Sequence, residues 1–282
     1  MNARWLLIAI LLTVFLSFLP FAQVITYPFL IFSTFIHETS HAFAAVLTGG
    51  DVESLIVRMN GSGVTYTHGG LRFIVSSAGY LGTTLFGALL LLFSRKEKNV
   101  RPVLIGCALL VLIVTAVFVG HTNNVLVIAM IACISVLVGL TMRPGAGVQA
   151  KKMPLMAVAL GMLLLLTGYL IWTRSLFSWS AGLMIAVALF GVVRLASIQF
   201  AHFFLTFLAV QCSLNALEAI KTVYFLSLGS TCGNDAAAMA SLTGIPAWLW
   251  AIAWAILSVV ILAISTAFYA RKSFRTTSPI PI

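Results

Sequence analysis

The chain has 282 residues, of which 61% are hydrophobic and only 8% are charged, and its formal net charge is +10 at pH 7. A soluble globular domain carries about 25% charged residues, so this composition excludes a soluble fold and predicts an integral membrane protein. Because the basic residues lie between apolar runs, as the positive-inside rule expects of cytoplasmic loops, the charge indicates membrane topology and not a nucleic-acid partner.

Apolar runs long enough to cross a bilayer, which takes about 20 residues, recur along the whole chain. The runs are continuously apolar, which excludes the alternating pattern of a membrane β-barrel. We predict one all-α polytopic membrane domain over 1–282, with eight or nine transmembrane helices and a small β-hairpin after the second. The predicted spans are 5–22, 25–48, 71–93, 102–120, 123–141, 154–173, 179–198, 200–227 and 245–269.

The second predicted span contains the motif His37-Glu38-Thr39-Ser40-His41. A spacing of four residues puts both histidines on one helical face, one turn apart, so that two imidazoles can bind one metal ion. Glu38 lies beside them, where a carboxylate can deprotonate a metal-bound water. With four glutamates and five histidines in the chain, this pattern arises by chance about once in a thousand such chains.

The polar stretch 51–70, which follows the motif, has the character of two short strands around Asn60-Gly61. An Asn-Gly pair between such runs predicts a hairpin with a type I′ turn. An ordinary polar loop is the plain alternative. The functional interpretation is a hairpin next to the catalytic helix, whose edge pairs with an extended substrate strand and places Asn60 and Gly61 near the substrate.

The third predicted span contains a run rich in small residues, Ser76-Ser77-Ala78-Gly79-Tyr80-Leu81-Gly82. Ala78 and Gly82 have the small-xxx-small spacing that lets two membrane helices approach closely. We interpret this run as a helix-packing face.

A catalytic zinc needs three protein ligands and an open position for water, so the motif lacks one ligand. The four cysteines include no C-x-x-C pair and predict no thiolate ligand. Glu97 lies in a basic loop, and Asp51 and Glu53 lie too far beyond His41 to fold back onto it. The third ligand is therefore expected among the acids of the last third of the chain.

Two such acids remain, Asp235 and the alternative ligand Glu218. An acid within an apolar helix, such as Glu218, is a functional candidate because its burial in a bilayer is costly. Glu218 can instead pair with Lys221, one turn later. Asp235 can instead only cap the helix that begins at Ala236.

Asn215 is a polar residue within the same apolar run as Glu218. Its amide can steady a substrate backbone or an oxyanion, or it can hydrogen-bond to a neighbouring helix. The sequence leaves both roles open.

Several segments together resemble the site-2 protease family of intramembrane zinc metallopeptidases, in particular its compact bacterial branch. The matching segments are Ile36-His37-Glu38-Thr39-Ser40-His41-Ala42 with Gly49-Gly50, Gly61-Ser62-Gly63-Val64, Ala78-Gly79-Tyr80-Leu81-Gly82, Asn234-Asp235-Ala236, and 242–247 with Trp250. The resemblance covers about a third of the chain. It implies a bacterial cell membrane, His37 and His41 as zinc ligands, Glu38 as general base, and a third ligand on a later helix.

This chain departs from the better-known members of the family in two respects. Their third ligand is an Asp in a Leu-Asp-Gly or Asn-Pro-Asp-Gly context, whereas Asp235 is followed by Ala236. The chain also has no room for the PDZ domain that many members carry. The family's usual orientation puts the active site nearer the cytoplasm, whereas the alternation of basic loops puts the 51–70 and 229–244 loops together on the outer face.

The sequence thus predicts a zinc-dependent intramembrane endopeptidase that hydrolyses a membrane-anchored protein or peptide within the lipid bilayer. Its catalytic region is expected in 25–93, and its third ligand, Asp235, in 200–269. Two other classes of protein stay open. One is a transporter or metal-permeation protein with His37, Glu38 and His41 along a polar path, and the other is an inactive membrane-protein binder with the same fold.

Overall fold

A computed structural model of the chain describes residues 2–120, 175–229 and 233–271. These residues form eight helices and one two-stranded sheet, numbered here in chain order. The elements are α1 (Asn2–Ser17), α2 (Ala22–Leu47), β1 (Asp51–Val57), β2 (Gly63–His68), α3 (Arg72–Ser94), α4 (Glu97–Phe118), α5 (Leu176–Leu195), α6 (Ile198–Gly229), α7 (Asp235–Thr243) and α8 (Ala247–Arg271).

Six of the described helices are long and apolar enough to cross a membrane, namely α2 to α6 and α8. A shorter apolar helix lies within α1, and the sheet is a small hairpin directly after α2. This confirms the predicted class, an all-α polytopic membrane protein with a hairpin after the motif helix. The predicted spans 123–141 and 154–173 lie outside the described residues.

The boundary between the first two helices differs from the prediction. The sequence predicts a first span of 5–22, with Pro20 and Pro28 marking the break. In the structure α1 ends at Ser17, the break lies around Pro20, and Pro28 lies inside α2. Proline inside a helix removes one backbone hydrogen bond and crowds the carbonyl of residue i−4, but in a membrane neighbouring helices can satisfy the freed group.

The motif helix α2 is buried in the middle of the molecule. It packs against α3 and α6 and against both strands of the hairpin. Its residues Phe32 and Ile36 join a core that includes Leu104 and Val111 of α4 and Leu205 of α6. By contrast, much of α1 and α8 carries exposed large apolar side chains, including Leu11, Phe15, Val260 and Phe268, which suit contact with lipid.

The hairpin is antiparallel, with Val57 opposite Gly63 and Leu55 opposite Thr65. Its loop differs from the predicted two-residue type I′ turn at Asn60-Gly61. The Arg58 N–H donates to the Ser62 carbonyl at 2.8 Å, and the Gly61 N–H donates to the Arg58 carbonyl at 3.0 Å. The loop therefore has three residues, with Gly61 at φ +83° as the left-handed residue that closes a three-residue hairpin loop.

Contacts with α2 explain this longer loop. The Tyr27 hydroxyl donates to the Met59 carbonyl at 2.7 Å, and the Thr34 hydroxyl donates to the Gly61 carbonyl at 2.8 Å. Both acceptors are backbone groups of the loop itself. The loop conformation is therefore fixed by tertiary hydrogen bonds as well as by the Asn-Gly pair.

The two edges of the hairpin have different surroundings. The outer edge of β1 is covered, because the Leu55 carbonyl accepts from the Gly120 N–H at 3.2 Å and Ser178 Oγ lies 2.8 Å from both the N–H and the carbonyl oxygen of Val57. The backbone N–H and carbonyl groups of Leu55 and Val57 thus point away from β2. In an antiparallel pair, the same groups of the facing residues Thr65 and Gly63 then point away from β1, towards the opposite edge of the hairpin. Within the described residues, no hydrogen bond covers that edge of β2.

Candidate metal centre

His37 and His41 lie on the face of α2 that is turned towards α3 and α7. Their Nε2 atoms are 3.1 Å apart, and their ring centroids are 4.8 Å apart. This is the arrangement that the four-residue spacing predicts. Both nitrogens therefore point at one volume beside the helix.

A backbone hydrogen bond sets the orientation of the His41 ring. Its Nδ1 lies 2.7 Å from the carbonyl oxygen of Val75 in α3. A carbonyl oxygen only accepts, so Nδ1 carries a proton, and in the neutral imidazole Nε2 then keeps its lone pair. The contact thereby fixes the tautomer that a metal ligand needs.

Asp235 is the first residue of α7, and its carboxylate reaches the two histidines. Its Oδ2 lies 3.5 Å from Nε2 of His37 and 3.3 Å from Nε2 of His41. The N-cap of α7 is Asn234, whose side-chain oxygen accepts from the Ala237 N–H at 2.8 Å. Capping by Asp235 is therefore not needed, and its side chain is free to face α2.

The charge environment of Asp235 favours its ionised form. Burial alone would raise its pKa, but the charge of a protonated His41 and hydrogen bonds from both histidines outweigh burial and hold the pKa of Asp235 below its usual range. An ionised carboxylate is also the form that binds a metal ion.

The spacing of these three donor atoms fits a tetrahedral zinc. Two donors bound to tetrahedral zinc at about 2.0–2.1 Å lie about 3.3–3.4 Å apart. The observed separations are 3.1, 3.3 and 3.5 Å. The donor set of two imidazoles and one carboxylate is also one that zinc accepts in catalytic sites. Among the described residues, this is the one group of three or more such side chains close enough to hold a metal ion.

A glycine of α3 leaves room for this centre. A Cβ atom on Gly79 would clash with Nε2 of both His37 and His41. The next residue, Tyr80, packs its ring against His37 with centroids 4.6 Å apart and stacks on Trp254 of α8 at 5.1 Å. The small-residue run of α3 thus forms one wall of the centre, beyond its predicted role in helix packing.

Glu38 is buried beside the centre, with 4% of its surface exposed. The Thr65 hydroxyl donates to its Oε2 at 2.7 Å and lies 3.1 Å from its backbone carbonyl oxygen. A Cβ atom on Gly63 would clash with its Oε1. Strand β2 therefore covers the carboxylate of Glu38 from one side.

The centre opens into a cavity of about 1260 Å³ bounded by α2, β2, α3, α6 and α7. Its lining is rich in hydroxyl, amide and titratable side chains, which is unusual at membrane depth and suits a site that admits water. The 51–70 hairpin and the start of α7 both line it, so these two segments meet at one cavity.

Comparison with known protein families agrees with this geometry. A family model described as Peptidase M50B-like matches residues 6–160 and 146–265. The chain belongs to this family. It is a site-2 protease family, so the chain belongs to a family of membrane metallopeptidases, which are hydrolases. No curated protein and no solved structure matches the chain.

The structure separates the two candidate third ligands of this M50B-like chain. Asp235 joins the histidine pair, whereas Glu218 forms an ion pair with Lys221 and has a side chain 65% exposed. Glu218 lines the cavity but stands outside the metal-binding group. The i, i+3 spacing of Glu218 and Lys221 suffices for this pairing.

The predicted substrate-contact residues also line the cavity. The Nδ2 atom of Asn215 is buried and has no hydrogen-bond partner in the described part of the chain. The Asn60 side-chain oxygen accepts from the N–H and hydroxyl of Ser62, at 3.0 and 2.8 Å, so it is engaged within the loop. Gly61 lies against Leu30 of α2 at the rim.

Sequence reasoning missed three residues that shape this M50B-like site, namely Thr65, Gly63 and Gly79. Gly79 stands in a run that the sequence marks, but its distance from the histidines depends on how α3 packs on α2. Gly63 and Thr65 are two residues apart, so the sequence predicts that they share one face of β2. Nothing local indicates that this face rests on Glu38.

Proposed function

We propose that this chain is a zinc-dependent intramembrane endopeptidase that hydrolyses a peptide bond in a membrane-anchored protein or peptide. The observation that carries the proposal is the convergence of His37, His41 and Asp235, at separations suited to tetrahedral zinc, next to a buried Glu38. Membership of a membrane metallopeptidase family supports the same reaction class.

In this proposal His37 and His41 hold the zinc through Nε2, and Asp235 holds it through a carboxylate oxygen. Zinc, when bound, supplies a Lewis acid and lowers the pKa of a bound water to about 7. Glu38 accepts a proton on its carboxylate as general base and then delivers it to the nitrogen of the leaving amine. The Val75 carbonyl keeps His41 in the tautomer that this arrangement needs.

The cavity supports a role for the hairpin in binding an extended substrate. The edge of β2 that turns the N–H and carbonyl groups of Gly63 and Thr65 outward has no backbone partner among the described residues, and both residues line the cavity. Addition of a substrate strand to such an edge supplies main-chain hydrogen bonds without requiring a particular sequence. It also keeps the substrate backbone unwound next to Glu38.

Asn215, a cavity-lining residue of α6, supports the same substrate geometry. Its Nδ2 is a buried donor with no partner among the described residues, and leaving such a group unpaired costs stability. In the proposed complex it donates to a substrate carbonyl oxygen. This donor resembles those that stabilise an oxyanion in acyl transfer.

Metal content tests the proposal first. We expect the purified, detergent-solubilised protein to contain about one zinc per chain and the Asp235→Ala variant to lose it, since three protein ligands hold a catalytic zinc. Glu218→Ala is the matched control, because it removes an acid that lines the same cavity but lies outside the donor group. Loss of zinc in the Glu218 variant alone would mean that Glu218, and not Asp235, is the third ligand.

Hydrolysis separates a peptidase from the other two classes. Glu38→Gln should keep zinc and fold but lose cleavage of a membrane-anchored peptide, because an amide cannot accept the proton. An inactive binder would show no cleavage in the wild type and no change in function in the Glu38→Gln variant. A wild-type protein that binds no zinc even after reloading, or that moves metal ions across liposomes without cleaving peptide, would overturn the proposal.

A further inference from the structure

The carboxylate of Glu38 has one hydrogen-bond donor among the described residues, the hydroxyl of Thr65. Thr65 Oγ1 lies 2.7 Å from Oε2, which is shorter than its 3.1 Å distance to the Glu38 backbone carbonyl. A carboxylate is a stronger hydrogen-bond acceptor than a backbone carbonyl, so the Thr65 hydroxyl donates its one hydrogen bond to the carboxylate. Glu38 is 4% exposed, so water competes little with the Thr65 hydroxyl for this hydrogen bond.

The strand that supplies this donor also covers the rest of the carboxylate. Gly63 and Thr65 are two residues apart and so lie on the same face of β2. Thr65 holds Oε2, while the backbone at Gly63 lies so close to Oε1 that a Cβ atom would clash with it. Both oxygens of Glu38 are thus placed by one strand, and this is the strand whose free edge faces the cavity.

On the basis of the proposed function, we propose that Thr65 is a positioning residue for the general base. Its hydroxyl holds the Glu38 carboxylate in one orientation. The conformational entropy of this flexible side chain is therefore already lost before proton transfer begins. Because Thr65 stands on the strand that pairs with substrate, the placement of the base and of the substrate backbone share one rigid element.

A different explanation of Thr65 is that a β-branched residue favours a strand. Two substitutions distinguish the roles, since Thr65→Val keeps the branched shape and removes the hydroxyl, and Thr65→Ser keeps the hydroxyl and removes the branch. Positioning predicts that Ser preserves function and Val does not. A role in strand formation alone predicts the reverse order.

The experiment measures hydrolysis and zinc content of both variants beside the wild type. We expect Thr65→Val to lower kcat about tenfold, as the loss of a hydrogen bond to a charged group can do, with KM and zinc content unchanged. Thr65→Ser should keep most of the wild-type kcat. Wild-type kcat in the Val variant together with a defect in the Ser variant would overturn the inference.

An infrared measurement makes the inference testable apart from activity. The chain has only six acidic residues, so the carboxylate band of Glu38 can be assigned by its loss in Glu38→Gln. That band should shift in Thr65→Val and stay in place in Thr65→Ser and in Thr67→Val, which makes the same change on the same strand.

The two measurements distinguish the failure of this inference from that of the proposed function. An unshifted band in Thr65→Val overturns the inference whatever the activity. A wild-type protein without hydrolysis overturns the proposed function, and a shifted band would then still identify Thr65 as the residue that orients Glu38.

Discussion

Gly79 shows how one missing side chain makes room for the metal centre. A Cβ atom at this position would clash with Nε2 of both His37 and His41, the two atoms that face Asp235. The histidines cannot retreat far, because they lie on a buried helix and His41 is tied to the Val75 carbonyl. The space around the donor atoms therefore depends on a hydrogen atom at Gly79.

Replacing this glycine should remove the metal without unfolding the protein. We expect Gly79→Ala to lose bound zinc, because the added methyl group displaces the donor nitrogens from their common point. Gly106→Ala in α4 is the control, since a Cβ there meets nothing within 4 Å and alanine favours a helix. Metal analysis of both variants is the measurement, and full zinc in Gly79→Ala would contradict the close approach of α3 to the two histidines.

At the scale of elements, α7 is a short helix whose start determines where Asp235 lies. Asn234 caps it through the Ala237 N–H at 2.8 Å, and Gly244 ends it at φ +71°. A nine-residue helix has little stability of its own. The position of the third donor therefore depends on the cap.

Loss of that cap should weaken metal binding while leaving all three donors in the chain. Removing an N-cap costs about 1 kcal/mol, so we expect Asn234→Ala to lower zinc affinity by about fivefold. Asn234→Ser keeps a capping oxygen and should bind zinc like the wild type. Competition with a chelator of known affinity measures both variants, and equal affinity in Asn234→Ala would show that packing alone holds α7.

The hairpin depends in the same way on a contact from a distant helix. Ser178 of α5 is fully buried, and its hydroxyl bonds the N–H and the carbonyl oxygen of Val57 at 2.8 Å each. These bonds close the β1 edge and leave the β2 edge as the open one. In the proposed complex, a substrate strand therefore adds on the β2 side only.

Ser178→Ala should destabilise the protein by about 1–3 kcal/mol, since it leaves a buried backbone N–H of β1 without a partner. Ser180→Ala is the matched control, because Ser180 is exposed and, among the described residues, its hydroxyl bonds only the Phe177 carbonyl of its own helix. Thermal unfolding in detergent measures both. An unchanged Tm in Ser178→Ala would mean that the β1 edge finds another donor.

At the scale of the whole molecule, a polar cavity is enclosed by helices whose outer faces suit lipid. Ser241 of α7 lines the cavity, whereas Val260 of α8 is 45% exposed on an apolar surface. Water should reach the first position and not the second. The distinction is a direct consequence of placing this fold in a bilayer.

Thiol labelling in membranes tests that distinction. In a background without the native cysteines, Ser241→Cys should react quickly with a membrane-impermeant maleimide and Val260→Cys should not. Labelling from one side of sealed vesicles also shows on which membrane face the cavity opens. The alternation of basic loops predicts the outer face, whereas the orientation usual in the family predicts the cytoplasmic face. Equal labelling at both positions would contradict the membrane placement.

Much of this architecture follows from the sequence because its signals are local. Apolar runs of membrane length predict the helices, and the four-residue spacing of His37 and His41 predicts their common face. The sequence predicts a two-residue turn where the structure has a three-residue loop, because Tyr27 and Thr34 of α2 bond the loop's carbonyl groups and no pattern within 51–70 encodes that contact.

The contacts that complete the site are not local. Asp235 meets the histidines only through the packing of α7 beside α2 and α3, and Thr65 meets Glu38 only through the docking of β2 on α2. A list of acids narrows the candidates for the third donor. It leaves Asp235 as the preferred donor and Glu218 as the alternative, and each of these acids also has a plain local explanation.

The wide separation of the metal donors along the chain has a consequence for biosynthesis. His37, Glu38 and His41 leave the ribosome early, whereas Asp235 emerges only when most of the chain has been made. A nascent chain already inserted in the membrane therefore holds two imidazoles and a carboxylate but not the full donor set. Translation itself delays the proposed activity until the fold that confines it is nearly complete.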